Sequence, residues 1–471
     1  LSEPVLNTPI LSAKTPRRQR IRLHTRRKLY ITMHNWNDIN GDFHTESAMD
    51  FLPREQLRRI QSQRLAEIVK LAYERVPLHR KRMDELGVKP ADIKSIDDIS
   101  KLPFTQKSDL RDTYPYGLFA VDTKEIVRLH ASSGTTGKPI VVGYTREDMD
   151  AWASSVLRCL AMFGVKRGDF LQNCFGYGLF TGGMGLHCGA ERMGCTVIPA
   201  SGGNTERQLM IMRDFGTTAF CGTPSYFIHL IEAAPKYGID LKALPLRHGV
   251  FGAEPWSEQM RQFIQANTNI VAHDIYGLSE ITGPGVGCEC DEQNGLHILE
   301  DNYYPEIVDP ETLPDGEEGE LVLTTLAKRA MPILRYRTHD ITSIMTVPCK
   351  CGRTLRRIRR IGRRSDDMFI IRGVNVFPSQ IEVALMRVPE CTPNYRIILE
   401  REKDLDNVTV EVEVREEFYT DSVSALDALR KKIKTSIANI VGIKIEVKIV
   451  EPNKIPRSEG KAKRVIDNRK I

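Results

Sequence analysis

Apolar residues recur at helical spacing soon after position 50. In LPREQLRRIQSQRLAEIVKLAYERV, residues Leu57, Ile60, Leu65, Ile68, Val69 and Ala72 form one stripe, the signature of an amphipathic helix. LHRKRMDELG reads as a second helix, closed by Gly87 as its C-terminal cap. Between about 140 and 300, short apolar runs alternate with helical segments. TVIPA (196–200), TTAFCG (217–222) and HGVFGAE (248–254) read as strands, with the helix TERQLMIMRDF between the first two. This alternation implies α/β units around a largely parallel sheet. PDGEEGELVLTTL (314–326) is a turn followed by an alternating strand, which predicts a β-rich subdomain.

A domain boundary is expected near 362–366, in IGRRSDD. Beyond it come MFIIRG, a helix from PSQIEVALMRV, the strand NVTVEVEV, the helix ALDALRKKIKTSIANI and the strand KIEVKIV. That is the size and pattern of a small α+β domain. The expected organisation is a leader over 1–48, a large domain over 49–363 and a small domain over 364–471. The last stretch, NKIPRSEGKAKRVIDNRK, is basic and turn-rich, and no internal repeat is visible.

The chain has 471 residues, 41% hydrophobic and 27% charged, ordinary values for a globular protein with a sizeable core. No apolar run approaches a membrane span, and no secretory segment is visible. The net charge of +6 is unevenly placed: eight Lys/Arg fall between Lys14 and Lys28, with no acid between Glu3 and Asp38. We expect a disordered leader there, with Met33 and Met49 downstream as possible starts. A nucleic-acid or membrane-surface arm and an acid-poor targeting segment stay open. Nucleic-acid binding has thin support, because the basic stretch lacks interleaved aromatics.

Ten cysteines without a secretory signal point to a reducing, cytoplasmic setting. Cys159, Cys174, Cys188, Cys195 and Cys221 sit singly in apolar surroundings and read as core. CECDEQNGLHI (288–298) and PCKCGRT (348–354) are different. Cys290, His297, Cys349 and Cys351 make a Cys3His set of the kind that holds structural Zn2+, with Cys288 as the alternative ligand. Four unligated cysteines are the bland reading.

The chemistry concentrates in LHASSGTTGKPIVVGYT (129–145). Ser132, Ser133, Thr135 and Thr136 offer hydroxyls, Gly134 and Gly137 let backbone N–H groups approach phosphate, and Lys138 adds charge. Pro139 after the lysine departs from the common P-loop. Alone, such a loop is more often a simple turn. It is joined by YGLSEITGPG (276–285), YRTHD (336–340) with an aspartate after a strand, GRRSDDMFIIRGVNVFPSQIE (362–382) and IPRSEGKAKR (455–464).

These segments, in this order, resemble the adenylate-forming superfamily. With GYGLFTGG, AERMGCTVIP, FGAEPW and DIYGLSE they are similar to the phenylacetate–CoA ligase family from about residue 50 onward. The resemblance implies a large domain of layered α/β sheets plus a β-rich subdomain, with a small mobile α+β domain. It implies a reaction in which a carboxylate attacks the α-phosphate of ATP and coenzyme A then displaces AMP, with Mg2+ offsetting phosphate charge.

Site roles follow from the resemblance. Residues 132–138 would hold the departing pyrophosphate. Tyr276 would stack on adenine, Ser279 would lie beside the phosphates, and Glu280 would act in catalysis as the Mg2+ ligand. Asp340 would bind both ribose hydroxyls, and Arg364 would reach ribose or phosphate. Gly252, Ala253, Glu254, Pro255, Asp274 and Gly277 complete the implied nucleotide set. Asp366 would be the hinge. Lys461 would bridge carboxylate and α-phosphate in the transition state, with Lys463 its nearby competitor. Where the family often has glycine beside the hinge arginine, this chain has Arg363, which requires a negative φ there. Phe175, Tyr177 and Phe180 would line an acyl pocket, with room left by Gly182 and Gly183; FGAEPW would contribute.

The expected activity is ligation of an aryl-acetic acid, phenylacetate first, to coenzyme A by a homodimer. Indoleacetate, hydroxyphenylacetate and benzoate are alternative acids. Adenylyl transfer to a deazaflavin-type cofactor is the rival enzyme reading. A regulator that has lost turnover is disfavoured by the presence of Lys461, Glu280 and Asp340.

Overall fold

The computed structural model describes residues 44–132, 139–365, 367–371, 374–402, 405–420, 422–456 and 464–469. The described residues open within the span expected as leader. A 3-10 helix, Thr45–Phe51, buries Ser47, Asp50 and Phe51. Helix α1 (Arg54–Arg75) buries Leu57, Leu65, Ile68, Val69 and Ala72 as its stripe predicts, but Gln61 is buried and Ile60 is not. The Gln61 side-chain NH2 finds a partner there, donating to the Glu300 carbonyl at 3.1 Å. Helix α2 (Pro77–Glu85) ends at Gly87, whose φ of +68° suits the left-handed cap. A short helix α3 (Lys107–Asp112) follows.

Strands β1 (Arg128–Ala131) and β2 (Val141–Tyr144) form an antiparallel hairpin around the Ser/Thr/Gly loop. The α/β run is then α4 (Arg146–Met162), β3 (Phe170–Asn173), α5 (Thr181–Met193), β4 (Thr196–Ile198), α6 (Thr205–Asp214), β5 (Ala219–Gly222), α7 (Pro224–Ala233), β6 (His248–Gly252), α8 (Glu258–Asn267) and β7 (Val271–Leu278). Next come β8 (Gly283–Cys288), β9 (Leu296–Ile298), β10 (Tyr303–Val308), β11 (Gly319–Thr325), β12 (Tyr336–Thr342), β13 (Ile344–Met345), β14 (Arg357–Ile358) and β15 (Arg363–Arg364). A nine-stranded sheet has the order β13-β14-β9-β8-β7-β6-β5-β3-β4, and a four-stranded sheet the order β10-β11-β12-β15. In the large sheet β4, β3, β5, β6 and β7 pair in parallel, while β8, β9, β14 and β13 continue it antiparallel.

The C-terminal part contains β16 (Phe369–Ile371), β17 (Val374–Val376), α9 (Pro378–Met386), β18 (Cys391–Glu402), β19 (Leu405–Val414), α10 (Val423–Val441), β20 (Glu446–Val450) and β21 (Val465–Asp467). It has its own core, where Ile381, Leu385, Ile397, Val410, Ile433 and Ile437 pack together. No helix among the described residues is long and apolar enough to cross a membrane.

Candidate active site

Strand β7 is where the large sheet changes direction: parallel to β6, antiparallel to β8. The β7–β8 hairpin is tight. A Cβ on Gly277 would lie 1.9 Å from the Gly283 carbonyl oxygen, so no larger residue fits. Tyr276 donates its hydroxyl to Asp340 Oδ2 at 2.6 Å, and Arg364 Nη1 donates to Asp340 Oδ1 at 2.7 Å. Register explains the pairing: Asp340 on β12 stands opposite Arg364 on β15. Asp340 therefore lies within a strand, not after one, because β12 continues to Thr342 in register with Gly319 on β11. Burial and the facing Asp340 push the Tyr276 phenol well above its ordinary value, so it remains a donor.

The residues after β7 hold the next group. Ser279 Oγ lies 2.9 Å from Thr181 Oγ1. Glu280 is buried, with Lys107 Nζ 3.9 Å from its Oε1. Two side chains anchor the backbone here. Tyr144 donates its hydroxyl to the Thr282 carbonyl at 2.6 Å, and buried Lys328 donates to the Ile281 carbonyl at 2.8 Å. The Lys328 ammonium also sits 4.7 Å from the Tyr144 ring centre. Burial pushes its pKa down to about 8, against the pull of Asp148 and Glu280. Lys328 was missed in the sequence. The only signal was a lone lysine within the run LVLTTLAKRAMPIL.

The aromatic loop after β3 divides into two parts. Phe175 is buried and Phe180 is 44% exposed, and both rings face Gly182. Tyr177 is instead tied by its hydroxyl to Asn173 Nδ2 at 2.8 Å and His187 Nδ1 at 3.1 Å. Gly183 is needed for backbone approach, since a Cβ there would be 2.5 Å from the Gly176 carbonyl oxygen.

After β6, Gly252 lies against the Ile275 backbone, and Ala253 adopts a φ of +68°. Glu254 accepts a hydrogen bond from the Ser225 amide at 2.9 Å, and exposed Pro255 follows. Asp274 is engaged by Arg360, whose Nε lies 3.3 Å from Asp274 Oδ2 and whose guanidinium sits 4.7 Å from the Trp256 ring centre.

At the neck of the Ser/Thr/Gly loop, the Ser132 amide donates to the Ile140 carbonyl at 3.0 Å. Ser133, Gly134, Thr135, Thr136, Gly137, Lys138, Asp366, Lys461 and Lys463 lie outside the described residues. Arg363 pairs with Ile341 in extended structure and is not in the left-handed region. It therefore meets the negative-φ requirement. Cys290, His297, Cys349 and Cys351 come together, whereas Cys288 lies in the core with its Sγ 3.4 Å from Met162 Sδ.

Two family models match the chain: AMP-binding enzyme over residues 44–326 and AMP-binding enzyme C-terminal domain over 373–469. A phenylacetate-coenzyme A ligase of Thermus thermophilus is 48% identical over 442 residues, covering 90% of this chain and 99% of its own. A 2-hydroxyisobutyryl-CoA ligase in its postadenylation state is similar in structure, with a TM-score of 0.85 and 28% identity, covering 93% of this chain and 97% of its own. The same ligase in its thioesterification state matches with a TM-score of 0.67, 29% identity and the same coverage of both chains. The chain belongs to the phenylacetate–CoA ligase family of AMP-binding enzymes.

Proposed function

We propose that this protein joins an aryl-acetic acid, phenylacetate first, to coenzyme A in two steps. The acid's carboxylate attacks the α-phosphorus of ATP, forming the acyl phosphate bond and releasing pyrophosphate. The thiol of coenzyme A then attacks the acyl carbon; its proton goes to solvent, and AMP leaves. The observation that carries this reading is the Tyr276–Asp340–Arg364 group. A buried carboxylate held by a tyrosine and an arginine lies against the strand where the sheet reverses, and a carboxylate is an acceptor of the kind that suits two ribose hydroxyls.

Glu280 stands on the same hairpin as Tyr276, and a buried carboxylate without an arginine partner among the described residues fits an oxygen ligand for Mg2+. Bound there, the ion would offset the charge of the phosphates. Lys328 and Tyr144 would keep the hairpin backbone in place, fixing where Glu280 points. Residues 132–138 would receive the departing pyrophosphate. Lys461 would stabilise charge as the carboxylate approaches the α-phosphate.

Phe175, Phe180 and Gly182 suit a flat apolar ring. Tyr177 is tied by its hydroxyl to Asn173 and His187 and would bound that pocket rather than stack on the ring. The small domain would turn about Asp366 between the two steps. The greater likeness to the postadenylation form than to the thioesterification form supports reading the present arrangement as that of the first step.

The test is pyrophosphate release and thioester formation with ATP, Mg2+ and a panel of aryl acids, run with and without coenzyme A. Thioester from phenylacetate supports the reading. Pyrophosphate without thioester would redirect it to adenylyl transfer, and no release with any acid would end it.

A further inference from the structure

Two loops far apart in sequence meet at the antiparallel end of the large sheet. Cys290 follows β8, His297 lies in β9, and Cys349 and Cys351 lie in the loop before β14. Pairing of β14 with β9 puts Arg357 opposite His297 and draws the loops together. The four ligand atoms lie within 4.8 Å of one another. We propose that Cys290, His297, Cys349 and Cys351 bind one Zn2+ tetrahedrally, as a structural clamp separate from the adenylation chemistry.

The spacing decides between readings. Cys290 Sγ and Cys349 Sγ are 3.6 Å apart, and Cys351 Sγ is 3.5 Å from His297 Nε2. A tetrahedral zinc with Zn–S about 2.3 Å and Zn–N about 2.0–2.1 Å separates two sulfurs by about 3.8 Å and sulfur from nitrogen by about 3.6 Å. Both observed edges match. All ten cysteines are free thiols, and 3.6 Å is too long for a bond between Cys290 and Cys349. Tight turns aim the sulfurs: the Gly352 amide donates to the Cys349 carbonyl at 3.2 Å, and the Gln293 amide donates to the Cys290 carbonyl at 2.8 Å. A closed Cys3His set leaves no position for substrate, as in structural zinc sites.

The clamp would fix the segment through β14, which makes two outer contacts. Thr354 Oγ1 donates to the Leu52 carbonyl at 2.5 Å, and Arg360 reaches Asp274. It thus joins the end of the 3-10 helix Thr45–Phe51 to the strand that carries Tyr276.

The experiment is elemental analysis of the full chain after dialysis against metal-free buffer, with thermal melting before and after strong chelation. Expected are about one zinc per chain and a lower melting midpoint once it is removed. Cys349→Ser and Cys351→Ser should lose the zinc, while Cys288→Ser should keep it. Should the serine variants not fold, the wild type still decides through thiol labelling. Three thiols should become reactive as zinc is released. Metal-free protein that takes up no added Zn2+, iron in place of zinc, or a Cys290–Cys349 disulfide found by mass spectrometry would each overturn the proposal.

Discussion

The two halves of the nine-stranded sheet use their polar residues differently. In the parallel half, strands end in loops that leave groups available. Phe180 stands exposed beyond β3, Ala253 holds a positive φ after β6, and Glu280 sits after β7 with the Lys107 ammonium 3.9 Å away. In the antiparallel half, polar groups are spent on the protein itself. Arg357 donates to the Asn294 and Val347 carbonyls at 2.5 and 2.7 Å, and the Cys/His ligand atoms gather within 4.8 Å of one another. Strands running one way collect their loops at one edge, where a ligand can meet several at once. Antiparallel strands return their loops to both edges, and there the polar residues secure the turns. β7 belongs to both halves, and Tyr276 stands on it.

The comparison predicts opposite phenotypes. Substitutions in the residues proposed for the adenylation chemistry should remove activity and spare the fold. If Lys461 makes the transition-state contact proposed for it, Lys461→Ala should lower phenylacetate-dependent pyrophosphate release by roughly 10²–10³-fold, the usual cost of one such contact. Its melting midpoint should match the wild type. Unfolding of that variant would break the division.

The reverse is expected of the charges buried beside the antiparallel half. Arg158 is fully buried and donates to Asp50 at 2.6 Å and to Asp301 at 2.9 Å. Arg158→Met leaves two buried carboxylates without their shared cation, which should cost about 3–5 kcal/mol in denaturant unfolding. KM for ATP in the protein that remains folded should be unchanged.

Lys328 sits at the seam, with its pKa down to about 8 from an ordinary 10.5. The unfolded chain holds that proton up to 10.5, while the folded chain releases it near 8. The penalty for the buried charge is therefore complete below pH 8, and stability rises between pH 8 and 10.5. Each unit of such a shift corresponds to about 1.4 kcal/mol. Lys328→Met should abolish that rise, measured by unfolding across the window. A rise that survives the substitution would assign it to another group.

What the sequence made legible follows the same division. The parallel half was readable because its strands are short apolar runs separated by helices of clear period, such as β5, α6 and β6. The Cys/His group was readable because grouped cysteines without a secretory signal more often mean metal than disulfide, although Cys-x-Cys is tighter than the commoner Cys-x-x-Cys. The Asp340 position was misjudged because a strand's end depends on pairing partners, and Gly319 opposite Thr342 is a long-range fact. Gln61 in place of Ile60 fails for a similar reason: a buried amide needs the Glu300 carbonyl, 239 residues away. Lys328 was hidden because nothing local distinguishes a lysine beneath a backbone carbonyl from one in water.

The smallest expected effect sharpens the parallel half from within. Gly182 lies in the first turn of α5, outside the left-handed region, so alanine imposes no backbone strain there. Its Cβ would lie 2.7 Å from the Phe180 ring and 3.7 Å from the Phe175 ring. Phe180 is 44% exposed and can swing aside, so the fold should keep its melting midpoint or gain slightly from the better helix former. The displaced ring would narrow the space between the two phenylalanines. If that space holds the aryl group, KM for phenylacetate should rise about three- to tenfold, near the lower end of what one misplaced methyl costs in an apolar pocket. KM for ATP should not move. Parallel increases in both would place Gly182 behind the whole loop rather than the acid. No change in either would put the aryl group elsewhere along the loops after β3 and β6.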